Sequence, residues 1–215
     1  PVFFHKLSGY DGHIIFQNLT KIKGIKEPKV IAKSMEKFVS FSIGKLHFKD
    51  SLQFLSSSLD KLTTNLAAKC KSGRKLEDLF QNLNHYFQEK WSHLPESAFE
   101  MLSRMGCYPY SYMDSFKKFK ETELPPKEAF YNDISKKHIS DEDYQFVHKL
   151  WNTFGMQNLG DLHDLYMETD VMLLADVFEN FRNFSLLKYR HPAHFCTAPG
   201  LSWSAALLHT RQRLE

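Results

Sequence analysis

The sequence predicts a mixed α/β (α+β) fold with strands in its first third and a helix-rich second half. Short runs rich in valine, isoleucine and phenylalanine, such as VFF and KFVSFSI, fall before residue 50, and β-branched and aromatic residues favour strands. Longer runs with apolar residues three and four apart follow from about residue 76, a spacing typical of amphipathic helices. Apolar residues make up 42% of the chain, which excludes a disordered protein.

The first third predicts a strand, a turn, a helix and a group of strands. Residues 2–5 are expected to form a short buried strand, a Ser-Gly turn follows, and residues 12–19 have helical spacing. The runs VIAKS, KFVSFSI and KLHFKDSL then predict strands, with a hairpin turn between the last two. Residues 57–66 predict another helix.

The rest of the chain predicts helices that alternate with irregular segments such as YPYSYMDSF. The helices are expected at 76–88, 96–105, about 141–154 and 159–187, with a last short one near the end. The segment 139–142, Ile-Ser-Asp-Glu, has the pattern of a helix N-cap. Two consecutive prolines in ELPPKEAF exclude a continuing helix there, and the basic segment 67–74 is expected to be a loop.

Composition narrows the location of the protein more than its function. The formal charge of +3 is too small to indicate nucleic-acid binding by itself. The three cysteines are odd in number and include no C-x-x-C pair, which excludes a disulfide framework and predicts an intracellular protein. No apolar run reaches the roughly 18 residues of a membrane span, and no signal peptide opens the chain. Because strand-like residues follow Pro1 at once, we expect a fragment that begins inside a fold.

The first acidic residue that is a candidate metal ligand, Asp170, lies on the helix predicted at 159–187. Tyr166 and Asp170 are four residues apart, so a helix places them on one face. The residues one helical turn before and after Asp170 are aromatic or apolar, which predicts a mostly buried carboxylate. Burial of its negative charge costs free energy unless a positive charge offsets it. A divalent cation would compensate it; the alternative is an exposed Asp170 paired with a lysine. Asp176, with Glu179 and Asn180 nearby, is expected to be exposed.

The second acidic candidate is Asp11, which follows Gly-Tyr at a strand-to-helix turn. It either caps the following helix or holds a metal ion. A competing metal set, His191, His194 and Cys196, offers three ligands, whereas a structural zinc site needs four. Cys107 has no base nearby in the sequence, so a thiol nucleophile is not supported.

The two acidic motifs together resemble the second and third exonuclease motifs of family B DNA polymerases, which are an aspartate after Phe or Tyr at a strand-to-helix turn and Y-x-x-x-D on a distant helix. Seven segments narrow the resemblance. In order they are LSGYD, DSLQFLSSSLDKL, YPYSYMDSF, ETELPPKEAFY, ISDEDY, LGDLHDLYMETDVMLLADVFENFR and TAPGLSW. They are similar to the protein-primed family B polymerases of viruses, linear organellar plasmids and self-synthesising transposons, from about Val2 to Trp203.

The resemblance implies a ribonuclease-H-like 3′–5′ exonuclease fold, incomplete at its N-terminus, that proofreads primer ends within a DNA-directed DNA polymerase. Residues 1–190 would form this partial exonuclease domain, and residues 191–215 would begin the connection to the polymerase domain. The implied partners are DNA, as the single-stranded 3′ end of a primer, the rest of the polymerase chain, and a terminal protein that primes replication. No membrane is implied.

The resemblance also implies catalytic roles for three residues. Asp11 and Asp170 would be the metal ligands for two Mg²⁺ ions, and Tyr166 would orient the attacking water. Phosphodiester hydrolysis needs a nucleophile made from water and relief of charge on the leaving oxygen, and two Mg²⁺ ions about 3.5–4 Å apart supply both. Hard oxygen ligands suit that ion.

Five further residues would contact single-stranded DNA. Tyr10 would stack on the terminal nucleotide, a contact worth about 1–3 kcal/mol per base. Ser51 and Leu52 match an S/T-L-x-x-hydrophobic motif of such domains, while Ser51 taken alone is equally well a turn or N-cap residue. Lys127 matches a lysine-x-x-hydrophobic pattern and would neutralise a phosphate. Lys6 stands where the family has an asparagine that binds single strands, and lysine keeps a donor but loses the amide acceptor.

Departures from the family favour alternative functions. Besides Lys6, the sequence lacks the first exonuclease motif, D-x-E, which is expected upstream of Val2, and the Y-x-D-T-D motif of the polymerase domain. We therefore expect the 215-residue chain alone to bind Mg²⁺ poorly and to degrade DNA slowly or not at all. The alternatives are a non-catalytic DNA-binding or scaffold domain derived from a viral or transposon polymerase, and an unrelated helical interaction protein.

Overall fold

The structure, a computed structural model, describes residues 1–212 except 20, 23, 25–26, 35–37 and 134. It is a mixed α/β protein, more than half helical, with a four-stranded mixed sheet, so the predicted fold class is confirmed at this level. The chain divides into two compact units. The first unit combines residues 1–58 with 178–215, and the second contains residues 59–177. The predicted boundary at residue 190 concerns the domains of a polymerase and stays a prediction.

The first unit is built on a sheet with the strand order β1, β4, β3, β2. The strands are β1 (Val2–Phe4), β2 (Lys29–Ala32), β3 (Phe38–Ile43) and β4 (Leu46–Asp50). Strand β1 is parallel to β4, with Phe4 beside Asp50, whereas the other two pairs are antiparallel. The predicted hairpin between β3 and β4 is confirmed, and Gly44 in its turn has φ +60°, which glycine adopts at little steric cost.

Helices occupy most of the remaining described residues. They are α1 (Asp11–Leu19), α2 (Leu59–Ala67), α3 (Leu76–Leu79), α4 (Gln81–Trp91), α5 (Glu96–Leu102), α6 (Asp141–Thr153), α7 (Leu159–Lys188) and α8 (Ala198–Thr210). Helix α7 begins in the second unit and ends in the first. Over the described ranges, no helix is long and apolar enough to cross a membrane.

Helix α1 packs on the sheet because Gly12 leaves room for an aromatic ring. Phe38 and Phe41 of β3 are buried, and Phe16 of α1 lies against Phe41 with ring centroids 4.6 Å apart. A Cβ on Gly12 would lie 2.0 Å from the Phe38 ring, so a larger residue would push the helix away. Gly12 therefore sets how closely α1, which begins at Asp11, approaches the sheet.

The second unit is a group of helices around an aliphatic and aromatic core. Residues that are at most 2% exposed come from several of its helices: Leu79, Leu83, Phe99, Leu102, Val147, Leu159 and Leu173. The predicted N-cap before α6 is confirmed, because the Ser140 hydroxyl accepts a hydrogen bond from the Asp143 N–H at 3.0 Å. Helices α6 and α7 agree with their predicted limits to within one residue.

The helix predicted at 76–88 is instead two helices, α3 and α4, that are broken at Phe80. Phe80 has φ −118° and ψ 63°, outside the helical region, and it is fully buried. The Asp176 carboxylate stabilises the break because it accepts hydrogen bonds from the N–H groups of Asn82 and Leu83 at 2.8 and 3.0 Å. Asp176 is 1% exposed, so the expectation of an exposed Asp176 is wrong.

Other predicted limits also differ from the structure. The helix predicted at 96–105 ends at Leu102. The segment predicted as a loop at 67–74 contains 3-10 turns at Ala68–Ser72, which end at Gly73 with φ +86°. The short helix predicted near the end is the 13-residue α8, whose first turn is capped by the Thr197 hydroxyl.

Candidate functional site

The Tyr166–Asp170 pair lies on the part of α7 that belongs to the second unit. Tyr166 is buried and Asp170 is half-buried, and the Asp170 Oδ1 atom is buried without a hydrogen-bond partner among the described residues. Burial raises the pKa of the Asp170 carboxyl from 3.8 to about 6, and a hydrogen bond with Tyr166 offsets part of the rise. The predicted burial of this carboxylate is confirmed, and the alternative of an exposed carboxylate paired with a lysine does not describe it.

An aromatic cluster surrounds the Tyr166 ring. The hydroxyl groups of Tyr110 and Tyr166 are hydrogen-bonded at 2.5 Å. The Tyr108 ring stacks on the Tyr166 ring with centroids 5.0 Å apart, and its hydroxyl lies 2.8 Å from His163 Nδ1. A Cβ on Gly106 would lie 3.2 Å from the Tyr166 ring, so a small residue at 106 allows the ring its place.

The tyrosines of this cluster remain protonated at neutral pH. Burial raises the pKa of Tyr108 to about 12, and it raises the pKa of Tyr110 as well. Burial also raises the pKa of Tyr166, and the negative charge of Asp170 adds to that rise. Protonated hydroxyls can donate hydrogen bonds to a water molecule or an anionic oxygen. The sequence predicts an irregular segment here, and Tyr108 and Tyr110 are not among the predicted site residues. The tyrosines at every second position of YPYSY are the signal in the sequence that could identify them.

The carboxylate of Asp170 has the chemistry of a ligand for a hard cation. A buried oxygen without a partner is uncommon in proteins, and carboxylate oxygens are the ligands that Mg²⁺ prefers. Thr169, the preceding residue, likewise has a buried hydroxyl without a partner among the described residues. In the described part of the chain, no group of three or more His, Cys, Asp or Glu could hold a metal ion. Asp170 therefore fits as one ligand of a divalent ion rather than as part of a complete set.

Asp11 is half-buried and is the first residue of α1 in the first unit. Its charge there is favoured by the N–H groups at the helix start. Because Asp11 and Asp170 belong to different units, their predicted convergence on paired metal ions stays a prediction. Two of the candidate zinc ligands have other contacts: His191 Nδ1 accepts a hydrogen bond from the Ala193 N–H, and Cys196 Sγ is 3.5 Å from a serine hydroxyl.

The parallel pairing of β1 and β4 brings two turns to one edge of the sheet. We call them the strand-end turns, and they comprise residues 5–10 after β1 and residues 51–53 after β4. The Asp50 Oδ1 atom accepts hydrogen bonds from the N–H groups of Lys6 at 2.8 Å and Leu52 at 3.0 Å. The predicted DNA contacts that these turns carry are Lys6, Tyr10, Ser51 and Leu52.

These residues differ in what they present to a ligand. Tyr10 is 70% exposed, and Lys6 is exposed with φ +72°, a conformation that asparagine, the residue of the resembled family, adopts more readily than lysine. Ser51 is fully buried, and its hydroxyl donates to the Phe4 carbonyl at 2.8 Å and lies 2.9 Å from His5 Nδ1. The alternative interpretation of Ser51 as a turn residue therefore describes this structure, and a contact with DNA would require its hydrogen bonds to change.

Lys127, the remaining predicted DNA contact, lies in the second unit at the start of a 3-10 turn. Its Nζ atom is 2.5 Å from Asp141 Oδ1, and the Asp141 side chain is 84% exposed. An exposed ion pair of this kind contributes little to stability. A phosphate could therefore replace the Asp141 carboxylate at small cost.

The structure thus presents two candidate sites, each within one unit. The strand-end turns offer an exposed ring and an exposed ammonium, and α7 offers a buried carboxylate beside a protonated phenol. A search of protein-family models, of curated proteins and of solved structures found no match to this chain.

Proposed function

We propose that this chain is the ribonuclease-H-like 3′–5′ exonuclease region of a protein-primed family B DNA polymerase and that it binds single-stranded DNA. The observation that carries the proposal is the pairing of Tyr166 with Asp170, whose buried Oδ1 lacks a partner among the described residues. A purely structural pair has no need for an unsatisfied oxygen at a buried position. The strand-end turns also support the proposal, because ligands commonly bind at the carboxyl ends of parallel strands.

In this proposal Asp170 and Asp11 would hold Mg²⁺, which when bound activates water and neutralises the leaving oxygen of a phosphodiester. The Tyr166 hydroxyl, which burial keeps protonated, would orient the attacking water through a hydrogen bond. The Tyr110 hydroxyl, 2.5 Å away, would fix the direction of that bond. Asp170 must lose its proton before it can bind a cation, so binding is favoured above about pH 6.

The single strand would lie on the strand-end turns. Tyr10 offers a ring on which any base can stack, and the ammonium of Lys6 can meet a phosphate. Leu52 would pack against the strand, and Lys127 would meet a phosphate from the second unit. The other partners that the proposal implies are the rest of the polymerase chain and a terminal protein that primes replication.

Binding of a 5′-fluorescein-labelled oligo(dT) to the chain tests the proposal. Fluorescence anisotropy is expected to show binding that weakens with added salt. Tyr10→Ala should weaken it about tenfold, because one stacked base is worth about 1–3 kcal/mol. The control is Tyr189→Ala, which removes another exposed tyrosine of the first unit. No binding by the wild-type chain, or equal losses in the two variants, would reject the proposal.

A nuclease assay separates this proposal from its alternative, a non-catalytic DNA-binding or scaffold domain. Lys6 favours the alternative, because it stands where the resembled family has an asparagine that binds single strands. We expect the chain alone to shorten a labelled oligonucleotide slowly or not at all in Mg²⁺. A longer product of the gene with an in-frame D-x-E before Val2 should shorten it rapidly and lose that activity on Asp170→Ala. Stop codons before Val2, or an inactive longer product, would favour the alternative.

A further inference from the structure

Asp50 is a fully buried carboxylate at the end of β4, beside both strand-end turns. Its exposed fraction is 0%, and its Oδ1 atom accepts the two backbone hydrogen bonds from Lys6 and Leu52. Its Oδ2 atom is buried without a partner among the described residues. Burial of a carboxylate with one unsatisfied oxygen is unfavourable, so packing of the sheet does not account for an aspartate here.

The hydrogen bond to Lys6 holds a backbone conformation that is otherwise unfavourable. Lys6 lies 44 positions from Asp50 in the sequence, and its φ of +72° is costly for a residue with a Cβ. A hydrogen bond to a buried side-chain oxygen can offset part of that cost, so Asp50 Oδ1 can stabilise that conformation. The Gly9 N–H in turn donates to the Lys6 carbonyl at 2.9 Å, which transmits the orientation of Lys6 to the residues next to Tyr10.

Asp50 has a different role from the neighbouring Ser51. The Ser51 hydroxyl also crosses between the turns, but it bonds the Phe4 carbonyl and the His5 ring. Within the described hydrogen bonds, the Asp50 carboxylate is what joins the backbone of Lys6 to that of Leu52. One oxygen atom therefore links the two turns directly at the residues predicted to meet DNA.

We propose that Asp50 is a positioning residue for single-stranded nucleic acid. Its Oδ1 atom sets the separation of the two strand-end turns, so that Tyr10 stacks on a base while Lys6 and Leu52 meet the adjoining backbone. This inference rests on the proposed function and adds to it a residue that does not touch the DNA. What the position requires is an acceptor for two N–H groups, so asparagine should replace aspartate and alanine should not.

Anisotropy measurements with the same labelled oligo(dT) test this role in the Asp50→Ala and Asp50→Asn variants. Asp50→Ala is expected to weaken binding about tenfold, or about 1.4 kcal/mol. Asp50→Asn should stay within about threefold of wild type, because its Oδ1 atom still accepts both hydrogen bonds. Amide hydrogen exchange at Lys6 and Leu52 should accelerate in the alanine variant and much less in the asparagine variant.

Asp176 provides a matched control in the second unit. It is 1% exposed and also accepts hydrogen bonds from two backbone N–H groups. Asp176→Ala is expected to lower the free energy of unfolding, measured in urea, at least as much as Asp50→Ala does. It should leave the affinity for the oligonucleotide unchanged.

The outcomes separate this inference from the proposed function. No binding by the wild-type chain would end both. Wild-type binding that is unchanged in folded Asp50→Ala, or lost equally in Asp176→Ala, would overturn only the role of Asp50. If Asp50→Ala does not fold, the Asp50→Asn variant tests the inference. A tenfold loss of affinity in the folded asparagine variant would overturn it. Near-wild-type affinity together with protected Lys6 and Leu52 amides would support it.

Discussion

Two aspartates on α7, six positions apart, differ in how completely their carboxylates are hydrogen-bonded. The Asp176 oxygens accept hydrogen bonds from the N–H groups of Asn82 and Leu83 and from the Asn82 side-chain amide, at 2.8 to 3.0 Å. Asp170 Oδ1, also buried, accepts none from the described residues. Burial raises the pKa of Asp170 to about 6. The same helix thus carries one carboxylate that the fold satisfies and one that it leaves open.

This difference shows that burial alone does not identify a functional carboxylate. Asp176 is the more buried of the two, yet its contacts explain it fully as a stabiliser of the helix break at Phe80. Asp170 has a hydrogen bond with Tyr166, but its buried Oδ1 atom has no partner among the described residues, and a destabilised group that persists in a fold is a candidate for function. The comparison can be tested through stability, without any assay of DNA.

Asp176→Ala is expected to give the largest effect. It leaves two backbone N–H groups unsatisfied at a buried position, each at about 1–3 kcal/mol, so the free energy of unfolding should fall by about 3 kcal/mol. Urea unfolding followed by circular dichroism measures the change. Asp176→Asn, which keeps an acceptor, should lose clearly less, and an equal loss in both variants would contradict the capping role.

Asp170→Asn should change the free energy of unfolding in the opposite direction and stabilise the protein at neutral pH. The folded pKa of about 6 lies above the ordinary 3.8, so the native state keeps a proton that the unfolded state releases, and wild-type stability falls as pH rises between these values. The variant has no such group and should be more stable than wild type by about 3 kcal/mol at pH 7. The two proteins should be nearly equal at pH 3.5. Unfolding curves across this range provide the check, and a destabilised variant at pH 7 would argue against an unsatisfied Asp170.

Tyr110→Phe is expected to give the smallest change, about 0.5–1 kcal/mol from the lost hydrogen bond. Without Tyr110, the Tyr166 hydroxyl is left with Asp170 as its partner, which favours the charged carboxylate. The pH at which stability falls should therefore move below the wild-type value. Tyr112→Phe is the control, because it removes a hydroxyl that donates to Glu121 instead. A shift of the same size in both variants would show that Tyr110 does not act on Asp170.

Most of the secondary structure could be predicted because local periodicity decided it. The hairpin of β3 and β4, the Ser140 cap and the extent of α7 follow from alternation, capping chemistry and helical spacing. The break at Phe80 could not be predicted in this way, since residues 76–88 have continuous helical spacing. The hydrogen bonds that stabilise it come from Asp176, 94 positions away.

The sequence by itself determined that Tyr166 and Asp170 share a helix face and that the residues one turn from Asp170 are aromatic or apolar, because both properties depend on residues within four positions. Only the tertiary structure decided which oxygens of the buried carboxylates are hydrogen-bonded. Asp50 and Asp176 bind N–H groups 44 and 94 positions away, and the polar neighbours of Asp176 on its own helix wrongly indicated exposure. Hydrogen bonds between distant segments depend on where turns and helix breaks present unpaired N–H groups. The local spacing of residues does not predict those positions.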